Sequence, residues 1–327
     1  MSATVCASWA RRLAAGWCLM AVCTTPSLAQ NFPSRSVRIV VPYSAGGSSD
    51  VVARVIGSEL QRQWGQAVTV ENRPGASGNI GSMDVVRAPA DGYTLLLQND
   101  TMLTNLAAQG KLPYHHENDL TPIMLLGRGP LALIAHPSVK ASNVQELQAA
   151  GAQVTGQSYG SCGIGSPSHF VMELLMKKTG LSFSQVGYRG CAPVLTDVLG
   201  GQIPLAVVSA NLVVPHARSG RLRVLGISSA QRYPLLPDVP TLQEQGLQGF
   251  DMSTWKALMG PAGLSPDVVD RIARDVARIL DDPATREHLE ISGIEPLRGS
   301  ASDLAHLIKV DANRYREIAR SGRMIIH

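Results

Sequence analysis

Residues 159–169, YGSCGIGSPSH, gather three glycines, three serines, a cysteine and a histidine between an extended stretch and an apolar helical one. Three chemistries use such residues. Glycines ahead of a helix cradle a phosphate on backbone N–H groups. A thiol near a helix start, with a histidine beside it, is a nucleophile of lowered pKa. Bare N–H groups and hydroxyls at the positive end of a helix hold a milder anion. A second loop of the same kind, PYSAGGSSD, lies at 42–50.

The phosphate reading lacks its motifs. Residues 163–168 read G-I-G-S-P-S, without the third glycine of G-x-G-x-x-G, and no G-x-x-x-x-G-K-[ST] occurs anywhere. The nucleophile reading has Cys162 and His169 at one loop–helix junction, but no orienting acid, no G-x-S-x-G and no H-E-x-x-H. Histidines are scattered, with only His115 and His116 adjacent, so no metal site, catalytic residue or cofactor is predicted. Both loops are almost free of Lys and Arg, Arg189 of the neighbouring loop being the exception. A phosphate recruits cations; a carboxylate is satisfied by N–H and hydroxyl donors. A small organic carboxylate is the expected ligand. One glycine-rich turn would mean little; several, in both halves of the chain, carry the inference.

The elements that must position these loops alternate. SVRIVV, a Gly/Ser loop and a helix with Val52, Val55, Ile56 and Leu60 in period open the fold, with Ser48 or Ser49 as expected N-cap and Gly65 as stop. AVTVENRPGASGNIGSMDVV repeats the design, and GYTLLLQND adds a strand. LTPIMLLGRGPLALIAHPS reads as two further strands. In the second half, Ser166, Pro167 and Gly180 read as N-cap, first helical residue and stop. Alternating strands and helices predict parallel sheets, whose ligand loops open at the carboxyl ends of strands.

Residues 1–29 read as a secretory signal peptide: Arg11 and Arg12, an apolar run Leu13–Cys23, then a cleavage site near Ala29. Its removal lowers the formal net charge of +4 by two, and no clustered basic face points to nucleic acid. The expected location is the periplasm. Of five cysteines only Cys162 and Cys191 lie beyond the signal, and two cysteines in an oxidising compartment invite a disulfide.

FPSRSVRIVVPYSAGGSSDVVAR, VENRPGASGNIG, APADGYTLLL, KLPYHHENDLTPI, YRGCAPVLTDVLGGQIPL, PHARSGRLRVLGISSAQRYPLLPDVPTLQEQGL and STWKALMGPAG, in this order, resemble the Bug-type receptors of tripartite tricarboxylate transporters. The resemblance implies an α/β, two-lobed periplasmic-binding-protein fold of type II (Venus flytrap), each lobe a mostly parallel sheet flanked by helices. It places lobe one at 30–132 and 254–327 and lobe two at 133–253. It implies a monomeric solute-binding protein, not an enzyme, that hands a small carboxylate to membrane transporter subunits; a ligand-sensing receptor and a Cys-dependent enzyme are the alternatives. Ligand contacts carried over are Tyr43, Ala45, Gly46, Ser48 and Ser49 in one loop, and Ser161, Gly163, Gly165, Ser166 and His169 in the other. Asp50 is expected as a helix cap rather than a contact. Tyr188, Val208 and Ser209 line the far end, where Val208 replaces a residue often acidic in the family. Asn99 and Asp100 stand where small neutral residues are usual. Either Asp100 faces the cleft and pairs with an amine or amide of the ligand, or it faces solvent and only ends the strand.

Overall fold

The computed structural model of the protein describes residues 32–153 and 156–321; the expected signal peptide lies outside the described residues. From Arg35 the chain forms one unit. Strand β1 (Val37–Val41) is apolar but for Arg38, which pairs with Glu71 and Asp84, because it is central: it pairs in parallel with β2 (Val68–Asn72) and β3 (Thr94–Asn99). Helix α1 (Ser48–Trp64) links β1 to β2 and stops at Gly65, whose φ of 64° is left-handed as a glycine stop requires. Helix α2 (Asn79–Val86) links β2 to β3, and α3 (Thr101–Gln109) follows β3.

Strand β4 (Leu120–Ala135) is one strand of 16 residues, where the sequence reads as two. The interrupting Gly127 and Gly129 do not turn the chain. They admit β10 (Glu295–Gly299): a methyl on Gly127 would lie 2.7 Å from the Glu295 carbonyl oxygen, and one on Gly129 would lie 2.6 Å from that of Gly293. The first part of β4 pairs antiparallel with β9 (Ser253–Pro261), which in turn joins β3. From Leu131 onward β4 pairs with β7 (Leu205–Ser209) and, from Ala132, with β8 (Arg223–Ile227). Beyond β7 lie β5 (Ser158–Ser161) and β6 (Ser184–Gly187), parallel to each other, with β5 also parallel to β7. The βαβ strands are therefore parallel as expected, while the shared strand makes each sheet mixed.

Helices α4 (Val144–Ala150), α5 (Pro167–Thr179), α6 (Cys191–Leu199) and α7 (Ala210–Arg218) belong to the second group of strands. Two capped helices follow β9: α8 (Pro266–Asp281), and α9 (Pro283–Ile291), whose Asp282 carboxylate accepts the Thr285 N–H at 2.9 Å. Helix α10 (Ala301–Ser321) packs along α3 and β4. Among the described residues no helix is long and apolar enough to cross a membrane.

Under α10 runs a buried polar seam. Tyr315 donates its hydroxyl to Asp100 at 2.7 Å, and Asp311 accepts from the Trp255 indole at 2.9 Å while pairing with Arg314. Asp100 is fully buried, close to the buried Lys256 ammonium, which donates to Thr254. Cys162 and Cys191 are joined in a disulfide, Cα–Cα 4.4 Å, that ties the exits of β5 and β6.

Two outcomes follow from these buried features. Burial pushes the Asp100 carboxyl up to about 7, against the hydroxyl of Tyr315 and the charge of Lys256, with Asp311 reinforcing the rise. Between about pH 4, the ordinary carboxyl value, and that raised value the folded state keeps a proton the unfolded state releases. Stability from this residue therefore falls as pH rises through that window. The melting temperature of Asp100→Asn minus that of the wild type should rise by several degrees from pH 4.5 to 7.5; a flat difference would mean the carboxylate is already ionised in the acid fold. Opening the disulfide, whose cysteines are 29 residues apart, should cost about 3 kcal/mol in urea unfolding with and without dithiol. Two alkylatable thiols in the denatured, unreduced chain would contradict the bridge.

Candidate ligand-binding site

Strand β1 delivers Tyr43 and then an open loop in which Ala45 and Gly46 are exposed. The N-cap of α1 is Gly47, not Ser48 or Ser49, and it offers no side chain to the first turn. Ser49 is buried and its hydroxyl accepts from the Asn99 amide at 3.2 Å. Asp50, in the first turn, folds back: its carboxylate accepts the Gly46 N–H at 3.0 Å and the Asn72 amide at 2.9 Å, and pairs with Arg54. Burial pushes this carboxyl up, but Arg54, Gly46 and Asn72 together outweigh that and hold it below the usual range. Asp50 thus braces the loop from inside. Among the described residues the N–H groups of Ala45 and Ser48 meet no protein acceptor, and Asp50, turned inward, is the loop's one charged side chain. The result is a helix start with its positive end open.

The loop after β5 is built by the same logic. Ser161 is buried; its hydroxyl donates to the Gly163 carbonyl at 3.2 Å and accepts from Gln185 at 2.8 Å. Ser166 occupies the N-cap of α5, yet its hydroxyl donates to the Gly163 carbonyl at 2.6 Å instead of capping. Ser168 accepts the Cys162 N–H at 2.8 Å. His169 accepts the Gly165 N–H on Nδ1 at 3.1 Å and has Glu173 3.5 Å from Nε2, which fixes the Nε2–H tautomer. These side chains shape the loop, whereas the N–H groups of Gly163 and Ile164, among the described residues, meet no protein acceptor. Gly163 (φ 148°) and Gly165 (φ 73°) hold backbone angles that favour glycine. Cys162 is half-buried and bonded to Cys191, so it presents no thiolate.

Helix α3 joins the two loops. A methyl on Gly165 would lie 3.2 Å from Oδ1 of Asn105 and 3.4 Å from Ala108, so the α5 loop sits directly against α3. Asn105 is fully buried, donates to the Ser77 carbonyl at 2.8 Å and leaves its Oδ1 without a hydrogen-bond partner. It thereby holds Ala76 and Ser77, two non-glycine residues at φ 47° and 53°. Gly78 meets the Tyr43 ring, and the Tyr43 hydroxyl lies 2.5 Å from Gln98 Oε1 and 2.6 Å from Asn99 Oδ1. Contacts therefore run without a break from the 163–165 loop through Asn105 and Tyr43 to Asn99 and Ser49. Asn105, Gln98 and Gln185 were not read from the sequence as site residues. A polar residue inside an apolar helix or strand was the available signal for the first two.

Three expected contacts sit differently. Val208 is fully buried in an apolar cluster with Val194 and Val198, because both faces of β7 are covered. Asp100 faces neither solvent nor an open surface; its Oδ2 accepts from Tyr315, and its Oδ1 is buried without a hydrogen-bond partner. The Tyr188 hydroxyl donates to Asp197 at 2.6 Å and is held against α6. Ser209 remains half-buried at the end of β7, 3.9 Å from the Cys191 sulfur.

The family model described as tripartite tricarboxylate transporter family receptor matches residues 52–324. BugT of Bordetella pertussis is 33% identical over 298 residues, covering 90% of this chain and 91% of its own. Among solved structures, R. palustris Rpa4515 with adipate superposes at a TM-score of 0.84 with 30% identity, over 89% of this chain and 98% of its own. MatC from Rhodopseudomonas palustris with bound malate superposes at 0.80, also 30% identical, over 88% and 100%. These likenesses make the fold the two-lobed α/β architecture of the TctC and Bug periplasmic binding proteins, and the chain belongs to the tripartite tricarboxylate transporter receptor family.

Proposed function

We propose that this protein is an exported receptor that binds a small organic carboxylate between its lobes and delivers it to a membrane transporter. One observation carries the reading: two helix-start loops, near each other through α3, keep backbone N–H groups open while Asp50 and His169, the titratable side chains at their helix starts, are turned to internal work. Such donors suit a carboxylate better than a phosphate. Adipate and malate, present in the two similar structures, are of this class. With Asp100 buried against Tyr315, the ligand needs no amine. The lobes divide where β4 and β9 cross between the sheets, around residues 132 and 254, and a ligand held by both loops favours the closed arrangement. Ala45, Ser48, Gly163 and Ile164 contribute open backbone N–H groups; Gly46 and Gly165, expected as contacts, spend theirs on Asp50 and His169 and, with Ser49, Ser161 and Ser166, keep the loops in shape.

The test is a thermal-shift screen of ligand-stripped mature protein with adipate, malate and other small carboxylates. A ligand at a thousandfold its dissociation constant stabilises by about 4 kcal/mol, which shifts the melting temperature by several degrees. Ala45→Asp adds a like charge at an exposed position of ordinary φ, and should weaken calorimetric affinity at least tenfold with an unchanged circular dichroism spectrum. Gly163→Asp is the poorer variant, since a side chain at φ 148° is strained whatever its charge. Absence of a shift from any carboxylate, or full affinity in Ala45→Asp, would overturn the proposal.

A further inference from the structure

Strand β4 is paired along both edges. On one edge run β9 and then β8, on the other β10 and then β7, so that Arg128 lies between Trp255 and Glu295 and Leu133 between Gly226 and Val207. A cavity of about 570 Å³ lies at Arg128–Pro130 of β4, where both edges change partner, and no residue of the two anion loops lines it. One wall comes from α9 and the start of β10, the other from residues 229–235, which follow β8. The walls touch at Gly293, between α9 and β10. A methyl there would lie 2.2 Å from the Asn211 β-carbon and 2.5 Å from the Tyr233 hydroxyl oxygen, and its φ is 80°. The segment before β10 thus bears at this glycine on residues that follow β7 and β8, with the cavity beside it.

The chemistry of the lining is not that of the first site. Its floor is apolar and well covered: Tyr233 and Ile294 are buried, Pro130 and Leu235 half-buried. The volume is that of sites which enclose small organic molecules. The rim is charged, and its two arginines are committed. Arg128 donates to Glu295 at 2.7 Å, and Arg232 donates to both carboxylate oxygens of Glu244 at 2.9 and 3.0 Å. Asp251 and Glu287, by contrast, have no ion-pair partner within 4 Å among the described residues, and Glu290 has only Arg286 at 3.9 Å. Ile291 stands 63% exposed at the mouth, an apolar side chain that an occupant would cover.

We propose that this cavity is a second ligand site, distinct from the anion loops, for a small amphipathic ammonium: an apolar body on the floor and its cation among Asp251, Glu287 and Glu290. A carboxylate of the same shape would meet these acids, while both arginines of the lining already hold a carboxylate. Because one wall follows β8 and the other is α9 with the start of β10, the occupant bridges those two segments without touching the anion loops.

Titration calorimetry of the mature protein with 4-phenylbutylammonium and with 4-phenylbutyrate tests the assignment. The ammonium should bind saturably at one site, at least tenfold tighter than the carboxylate. Glu287→Lys, an exposed change, should weaken the ammonium at least fivefold, and Ile291→Ser should weaken it as well. Ala45→Asp should leave ammonium binding unchanged, which separates this site from the carboxylate reading. No saturable binding, equal affinity for both probes, or full affinity in Glu287→Lys would each overturn the proposal.

Discussion

The arrangement depends on the close approach of β10 and β9 to one continuous strand. Gly127 and Gly129 leave β4 without side chains where backbone oxygens of Glu295 and Gly293 come nearest. Any larger residue would push β10 off, and β4 would lose the pairing that holds its middle straight. With it, one strand serves two sheets. The carboxyl ends of β1 and β3 on one side and of β5 and β7 on the other are then directed toward the same crossing region. The ligand loops are where they are because of a strand that carries none of them.

At the site itself the division of labour is between backbone and side chain. Asp50, Ser161, Ser166, Ser168 and His169 are all groups that might be read as ligands for an anion, a metal or a reacting carbonyl. Each one instead satisfies a loop amide or carbonyl. What they leave over is a few N–H groups at helix starts, held in fixed directions before any ligand arrives. Preorganisation of this kind lowers the ordering cost of binding, and the Cys162–Cys191 bridge acts in the same sense on the β5 and β6 exits. A site built from N–H groups would recognise a carboxylate and be indifferent to most of the remaining molecule. Selectivity must then come from the walls.

Much of this was legible in the chain. The Gly/Ser loops, their place between strand and helix, and the lack of cations in them are local features, and they lead to the anion class. The resemblance to a receptor family supplied the two lobes. What was not legible is what depends on distant partners. Asp100 looked like a choice between ligand and solvent, because Tyr315, the group that takes it, lies 215 positions away. Val208 looked like a cleft residue because strand alternation does not distinguish inward from outward when both faces are covered. Ser48 and Ser49 looked like caps by residue type, yet Asp50 turning back to Gly46 already orders that loop and leaves the cap to a bare glycine. GRG looked like a turn because glycine signals both turns and close approaches, and only the neighbouring strand decides which.

A crossing strand also sets what lies on its two flanks. Beyond β9 on one edge and beyond β7 on the other lie the loops with open N–H groups and hardly a cation; at the middle of β4, where both edges change partner, lies an apolar hollow rimmed by acids. Gly293, Asn211 and Tyr233 form a hard contact with no slack, and in a close-packed structure such contacts are bistable rather than compressible. A closure that drew the anion loops together would pivot at that contact or break it, and the hollow beside the contact would change shape with it.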